Sequence, residues 1–440
     1  MKKVLSLFGI GWLLGSTVVA QNIQFTEYDL KNGLHVILHE DHSTPIVAVT
    51  VLYHVGSKNE VPGRTGMAHF FEHLLFEGSD NIGRGEYAKY VENAGGGLNA
   101  NTSQDRTFYY DLLPSNQLEL GLWLESERMM HAKVEKEGIE TQREVVKEEK
   151  RQRYDNQPYG NLFPETLKHA YKNHPYAWAP IGSLEDLNAA KDQDFVDFYH
   201  TYYVPNNAVL SIAGDFKPEE AKKLIEQYFG EIQKGKDIKR PTIIEPTNTG
   251  EVKDVIKVKD QLPLMVQAYH IPAQGTKEFY AIDMLNTLLS NGESSRLNKT
   301  VVNEKELALF CGAFTFNLED PGLTLSYSVA NMGVDIEELE AAVNAEFDRL
   351  KNEPISDNEF QKLRNQIESD FITRNSSMAG IAESLANYHT YFGDTNLINT
   401  EINRYMAVTK EEMMAAAKKY YIPENRVTLY FEHDPSLLKQ

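Results

Sequence analysis

The sequence predicts an α+β chain made of two similar halves, and three observations carry that prediction. Runs rich in β-branched residues alternate with stretches of helical period. A weakly periodic stretch with two prolines divides the chain near its middle, and the second half opens with strand-like runs as the first does. With 440 residues, 41% hydrophobic and 25% charged, the chain is long enough for two or three domains with substantial cores.

The elements follow in order. Ile23 to Leu30, Leu34 to His39 and Ile46 to Val55 read as strands, with Lys31-Asn32-Gly33 as the turn of an opening hairpin. Helical periodicity covers Met67 to Phe76, Gly85 to Ala94, Leu118 to His131 and Ile139 to Tyr154, and strand character returns from Ala208 to Gly214. This gives a first α+β domain over residues 21–230. Residues 231–251 have the composition of a linker. The second domain, 252–440, opens with strands from Val255 to Lys259 and Leu264 to Ile271. It continues into a helix from Tyr280 to Leu289 and ends on a strand from Arg426 to Glu432.

Charge and cysteine content narrow the function. Sixty-four acidic residues against 44 basic ones leave a formal charge of -20, which opposes a nucleic-acid surface. The single cysteine, Cys311, rules out an internal disulfide framework and a thiolate-rich metal site, so His and carboxylate are the strong ligands available. Residues 1–20 run from Lys2 and Lys3 through an apolar stretch to Val18-Val19-Ala20, the pattern of a secretory signal cleaved before Gln21. An uncleaved membrane anchor needs a longer apolar span, and no later segment approaches one. The expected compartment is the periplasm or the cell exterior.

The chemistry is expected in Met67-Ala68-His69-Phe70-Phe71-Glu72-His73-Leu74-Leu75-Phe76. Positions four apart on a helix share a face, so His69 and His73 can hold one cation. Glu72 is offset from that face, so its carboxylate can reach an attacking water without ligating the metal, the place of a general base. The order His-x-x-Glu-His is the inverted form of a zinc-peptidase motif. The helix is apolar nearly all round and therefore buried, and three polar side chains in such a helix need a partner, which zinc would supply to all at once. A catalytic zinc takes three protein ligands, so a third is expected elsewhere. In the helix from Ile139 to Tyr154, Glu149 lies on the apolar stripe of Ile139, Val145 and Val146, with Glu148 as runner-up.

These motifs resemble the pitrilysin or insulinase-like zinc metallopeptidases, specifically their half-length bacterial periplasmic members related to the mitochondrial processing peptidase. The resemblance runs from about Gln24 to Glu432. It rests on His69-x-x-Glu72-His73, the Gly95 to Ser103 segment, the Glu149 region, Asp155 to Gly160, Tyr203-Val204-Pro205-Asn206-Asn207 and Ala213-Gly214-Asp215. It implies two related domains, each an antiparallel sheet packed with helices, forming half of a clamshell around a peptide. It places the third zinc ligand at Glu149, with one Zn2+ per chain. It also makes the strand at Ala100, Asn101 and Thr102 the edge on which an extended substrate adds, which suits a site that binds peptides through their backbones.

Two departures bear on mechanism. The family's second half carries an Arg and a Tyr that stabilise the oxyanion. The register set by Ser294-Ser295-Arg296-Leu297 puts Val302 or Asn303, and Leu309 or Phe310, in their places. An acidic position seven residues before Glu149 is here Gln142, which can act only as a second-sphere hydrogen-bonding group. The expectation is a zinc metalloendopeptidase subunit with Glu72 as general base, working in a heterodimer with a related chain that supplies the Arg and Tyr. The alternatives are an active homodimer and a non-catalytic assembly subunit.

Overall fold

The computed structural model describes residues 22–240, 242–246 and 250–439, so the predicted signal at 1–20 lies outside the described residues. Eleven strands are described, and they form two sheets. The first half contributes β1 (Thr26–Asp29), β2 (His35–Glu40), β3 (Ile46–Tyr53), β4 (Gly97–Thr102), β5 (Thr107–Pro114) and β6 (Ala208–Gly214), in the spatial order β1-β2-β6-β3-β5-β4. The second contributes β7 (Val252–Val258), β8 (Leu264–His270), β9 (Ala308–Phe316), β10 (Leu323–Ala330) and β11 (Arg426–His433), in the order β7-β11-β8-β10-β9. Once β1 is set aside, the two orders coincide strand for strand. In each sheet the last strand lies parallel to the first of the shared set, β6 beside β2 and β11 beside β7, and every other pair is antiparallel.

Alternation along the central strands decides what each face buries. In β3, Val47, Val49, Val51 and Tyr53 face the core shared with the helices of the first half. Ala48 and Leu52 face the other way, and with Ile37 and Val209 they pack on Met378, Ile381, Ala382 and Leu385. Those four residues lie on a helix of the second half, Met378–Phe392. The exchange is reciprocal, because helix Leu162–Ala170 of the first half packs on β8 and β11 of the second sheet. There Leu167 and Ala170 join the core that contains Leu264, Val266, Ala268, Val427 and Leu429. Each sheet therefore has one face covered by helices of its own half and receives a helix from the other.

The described part of the 231–251 stretch carries neither helix nor strand, but it is pinned down. The Glu245 carboxylate accepts the backbone N–H groups of Lys172, Asn173 and His174, and Arg240 donates to the carbonyl of His54 and to Asn207 Oδ1. A second tie is centred on Lys58, whose ammonium lies 2.8 Å from Asp105 and 2.5 Å from Glu319, joining the two halves.

Candidate metal centre

Helix Met67–Leu74 carries the motif, and its start is built by residues from outside it. Gly66 caps it in the left-handed region at φ 92°, and a Cβ there would meet the Ile181 carbonyl at 2.9 Å, so glycine is required. The two orphan N–H groups of Gly66 and Ala68 donate to the carboxylate of Glu60, each at 2.9 Å, and Trp178 Nε1 donates to the same carboxylate at 3.0 Å. Burial pushes the Glu60 carboxyl up to about 8, while these three donors pull it down. Downstream, Phe70 and Phe71 are fully buried against Phe195, and the Phe71 carbonyl accepts from Tyr109 Oη at 2.8 Å. The helix is thus held on both sides, which fixes the directions of His69 and His73.

Helix Lys136–Lys150 brings in Glu149, one residue before its last, just ahead of a π-helical turn over Arg151–Asp155. Glu149 Oε2 lies 3.1 Å from His73 Nε2 and 3.5 Å from His69 Nε2. The ligand atoms of the three residues all fall within 4.8 Å of one another. Glu148, the runner-up, points instead to Arg151 and Gln152 at the surface.

The donor set fits a zinc ion. Glu149 Oε2 is buried and has no hydrogen-bond partner of regular geometry, although it faces two imidazoles. The neighbouring His73 imidazole holds the Glu149 carboxyl below its usual range, with Arg153 2.9 Å from Oε1 adding to the effect. Burial, reinforced by His73, pushes His69 down to about 4, so at neutral pH its ring carries a lone pair. One anionic carboxylate between two imidazoles, one of them held neutral, is a donor set of the kind catalytic zinc takes.

Glu72 stands apart from this trio. Its Oε2 accepts the Thr102 hydroxyl at 2.6 Å, and burial raises its carboxyl above the ordinary carboxylate range against the pull of that hydrogen bond. Thr102 ends β4, the edge strand of its sheet, which pairs with β5 on one side only. Along β4 the exposed residues Gly97, Asn99 and Asn101 alternate with the half-buried Leu98, Ala100 and Thr102. Ala100, Asn101 and Thr102 therefore lie on a free edge that reaches Glu72.

Gln142 is placed differently from the zinc trio. Its Nε2 donates to Glu77 Oε1, and Glu77 also pairs with Arg84. Glu60, Glu77 and Arg153 escape the motif reading. Two had a signal in spacing, since Glu77 follows His73 by four residues and Arg153 follows Glu149 by four. Glu60 had none, because its partnership with the helix start is made by the fold. In the second half Val302 is half-buried against the core, Asn303 is exposed, and Leu309 and Phe310 stand exposed on β9, an edge strand of that sheet.

Residues 35–182 match the family model described as Insulinase (Peptidase family M16), and residues 190–367 match the Peptidase M16 inactive domain. The chain is 31% identical over 440 residues to the zinc protease PqqE of Helicobacter pylori, covering 98% of this chain and 99% of that one. It is 24% identical over 403 residues to a probable mitochondrial-processing peptidase subunit beta of Arabidopsis thaliana, covering 89% and 75% of the two chains. The crystal structure of a protease from Helicobacter pylori superposes with a TM-score of 0.89 at 30% identity, over 93% of this chain and 99% of that one. The fold also matches the periplasmic protease PqqL of Escherichia coli at a TM-score of 0.75 and 17% identity, over 94% of this chain but 48% of that one. This chain belongs to the insulinase family of peptidases, peptidase family M16.

Proposed function

We propose that the chain is a zinc-dependent endopeptidase subunit that cleaves extended peptide segments, with His69, His73 and Glu149 holding the metal and Glu72 acting as general base. The observation that carries this reading is the convergence of the three ligand atoms within 4.8 Å, with Glu72 beside them and tied to the free edge of β4. Zinc, when bound, supplies an electrophile that polarises a peptide carbonyl and acidifies water. The chain's own residues do the rest. The β4 edge offers unpaired backbone groups that would hold a substrate as an added strand, independent of its sequence. Glu72, with its carboxyl raised by burial and oriented by Thr102, is suited to take a proton from the attacking water and pass it to the leaving amine.

The second half offers no cation or phenol at Val302, Asn303, Leu309 or Phe310. This supports a division of labour in which a second related chain completes the oxyanion site. The match to half of PqqL, a longer chain, is in keeping with such a pairing, and that protein's compartment supports export of this one to the periplasm.

The test is zinc content together with hydrolysis of a quenched peptide library by the purified chain, alone and mixed with a related chain from the same organism. Stoichiometric zinc and activity only in the mixture are expected. Glu72→Gln should keep the zinc and lower hydrolysis about 10²–10⁴-fold. Activity of the chain alone, with a native mass of two copies, would replace the heterodimer by a homodimer. Absence of zinc would end the enzymatic reading.

A further inference from the structure

Among the described residues, two groups of His and carboxylate bring their ligand atoms within 4.8 Å of one another. One is the centre above. The other, Glu27, His35 and His389, has no part in it and joins the two halves of the chain. Glu27 lies on β1 and His35 on β2, while His389 lies on helix Met378–Phe392, the element of the second half that packs on the first sheet.

We propose that Glu27, His35 and His389 form a second site for a divalent transition cation of the zinc or nickel class, clipping that helix onto the opening hairpin. His35 is the centre of the group. Its Nδ1 lies 2.7 Å from Asp29 Oδ1, an acceptor for Nδ1–H, and in the neutral ring with that proton on Nδ1 the Nε2 lone pair is left on the far side. A carboxylate behind an imidazole in this way is the usual arrangement for a metal-ligating His. Nε2 then faces Glu27 Oε2 at 3.4 Å, one acceptor against another, which is unfavourable unless a cation or a second proton lies between them. Glu27 is oriented for this by the buried Thr395, whose hydroxyl donates to the same oxygen at 2.5 Å.

His389 lies against His35 with ring centroids 3.4 Å apart and planes 13° from parallel. Burial, then the neighbouring His35, lowers the readiness of His389 to take a proton. Coordination requires the His389 ring to turn out of the stack. It borders a cleft of about 400 Å³, also lined by Asp237 and Arg240, which gives room for that rotation and a route for an ion. Two imidazoles and a carboxylate suit zinc, nickel or copper, whereas calcium and magnesium prefer all-oxygen sites.

The experiment measures metal bound by the full chain after dialysis against zinc, nickel or cobalt. The double variant H73A/E149A removes two of the three ligands proposed above and isolates the second site. It should retain one equivalent of metal, which is lost when His389→Gln is added. Cobalt loading should give a ligand-field absorption band in the double variant that disappears in the triple variant. The single variant His389→Gln should lose one equivalent and, mixed with the related chain, still cleave peptide at the rate of the parent mixture. Asp29→Asn, which touches only the back of His35, should weaken affinity about ten- to a hundred-fold. If His389→Gln impairs folding, Glu27→Gln serves in its place, with the melting temperature as control. No metal bound by H73A/E149A would show that a proton fills the site and would overturn the proposal. An equivalent that survives both His389→Gln and Glu27→Gln belongs elsewhere and would overturn it equally.

Discussion

Thr102 at the end of the edge strand β4 donates its hydroxyl to Oε2 of Glu72 on the motif helix, at 2.6 Å. One bond thus couples the strand proposed to receive substrate to the carboxylate proposed to move a proton. A hydrogen bond to a charged group contributes about 1.5–3 kcal/mol. Thr102→Ala should lower kcat roughly ten- to a hundred-fold and leave zinc content unchanged, while Thr102→Ser should recover most of the rate. Zinc analysis beside steady-state kinetics checks this, and a loss of zinc in Thr102→Ala would refute the assignment.

Glu60 predicts an effect at a distance. It closes the start of the helix that carries His69, through Gly66 and Ala68, and anchors Trp178. Glu60→Ala leaves the buried N–H groups of Gly66 and Ala68 unpaired, at a cost of about 1–3 kcal/mol each at most, while Trp178 Nε1 keeps its bond to the Ser57 carbonyl. Urea unfolding should show a lower midpoint with unchanged slope, and equilibrium dialysis should show zinc affinity weakened about tenfold. Unaltered zinc affinity would mean that the motif helix holds its position without this carboxylate.

Removal of metal should destabilise the fold by mass action. A ligand held only by the native state at a hundred times its Kd contributes about 2.7 kcal/mol. Treatment with a chelator should lower Tm, restored zinc should return it, and Glu149→Gln should sharply reduce the response that belongs to the candidate centre.

Acid should loosen the joint between the halves in a defined window. Burial opposes ionisation of Glu319, but its bonds to His54 and Lys58 prevail and hold its carboxyl at about 2, below the ordinary 4.5. A carboxyl lowered in the folded state contributes stability in full above its unfolded value, and loses it as pH falls from about 4.5 toward 2. The Tm difference between the parent chain and Glu319→Gln should shrink as pH falls from about 4.5 toward 2. A difference that grows on acidification would contradict the ion-pair account.

The parts most legible in the sequence were those set by local pattern. The motif helix announced itself through an apolar surface interrupted by His69, Glu72 and His73, whereas the apolar stripe left Glu149 beside Glu148 and the family resemblance separated them. Strands β5 and β10 were not legible, because buried polar residues break their apolar runs. Asp111 in β5 is fully buried beside the Tyr87 hydroxyl, and Thr324, Ser326 and Ser328 are buried in β10. The partners of Asp111 and Thr324, Tyr87 and Asn286, come from other elements, so no local window shows why such residues are tolerated. The helix capping by Glu60 and the meeting of His35 with His389 are hidden for the same reason, since each depends on which faces the fold brings together.

The exchange of helices between the halves has a consequence for how the chain is made. The outer face of the first sheet, with Ala48, Leu52 and Val209, stays bare until Met378–Phe392 has been synthesised. A nascent first half is therefore a sticky intermediate, and the slow step of folding should be the closure of this late, long-range contact. Fragments cut between 231 and 251 should be poorly soluble apart and regain native structure only when both are present.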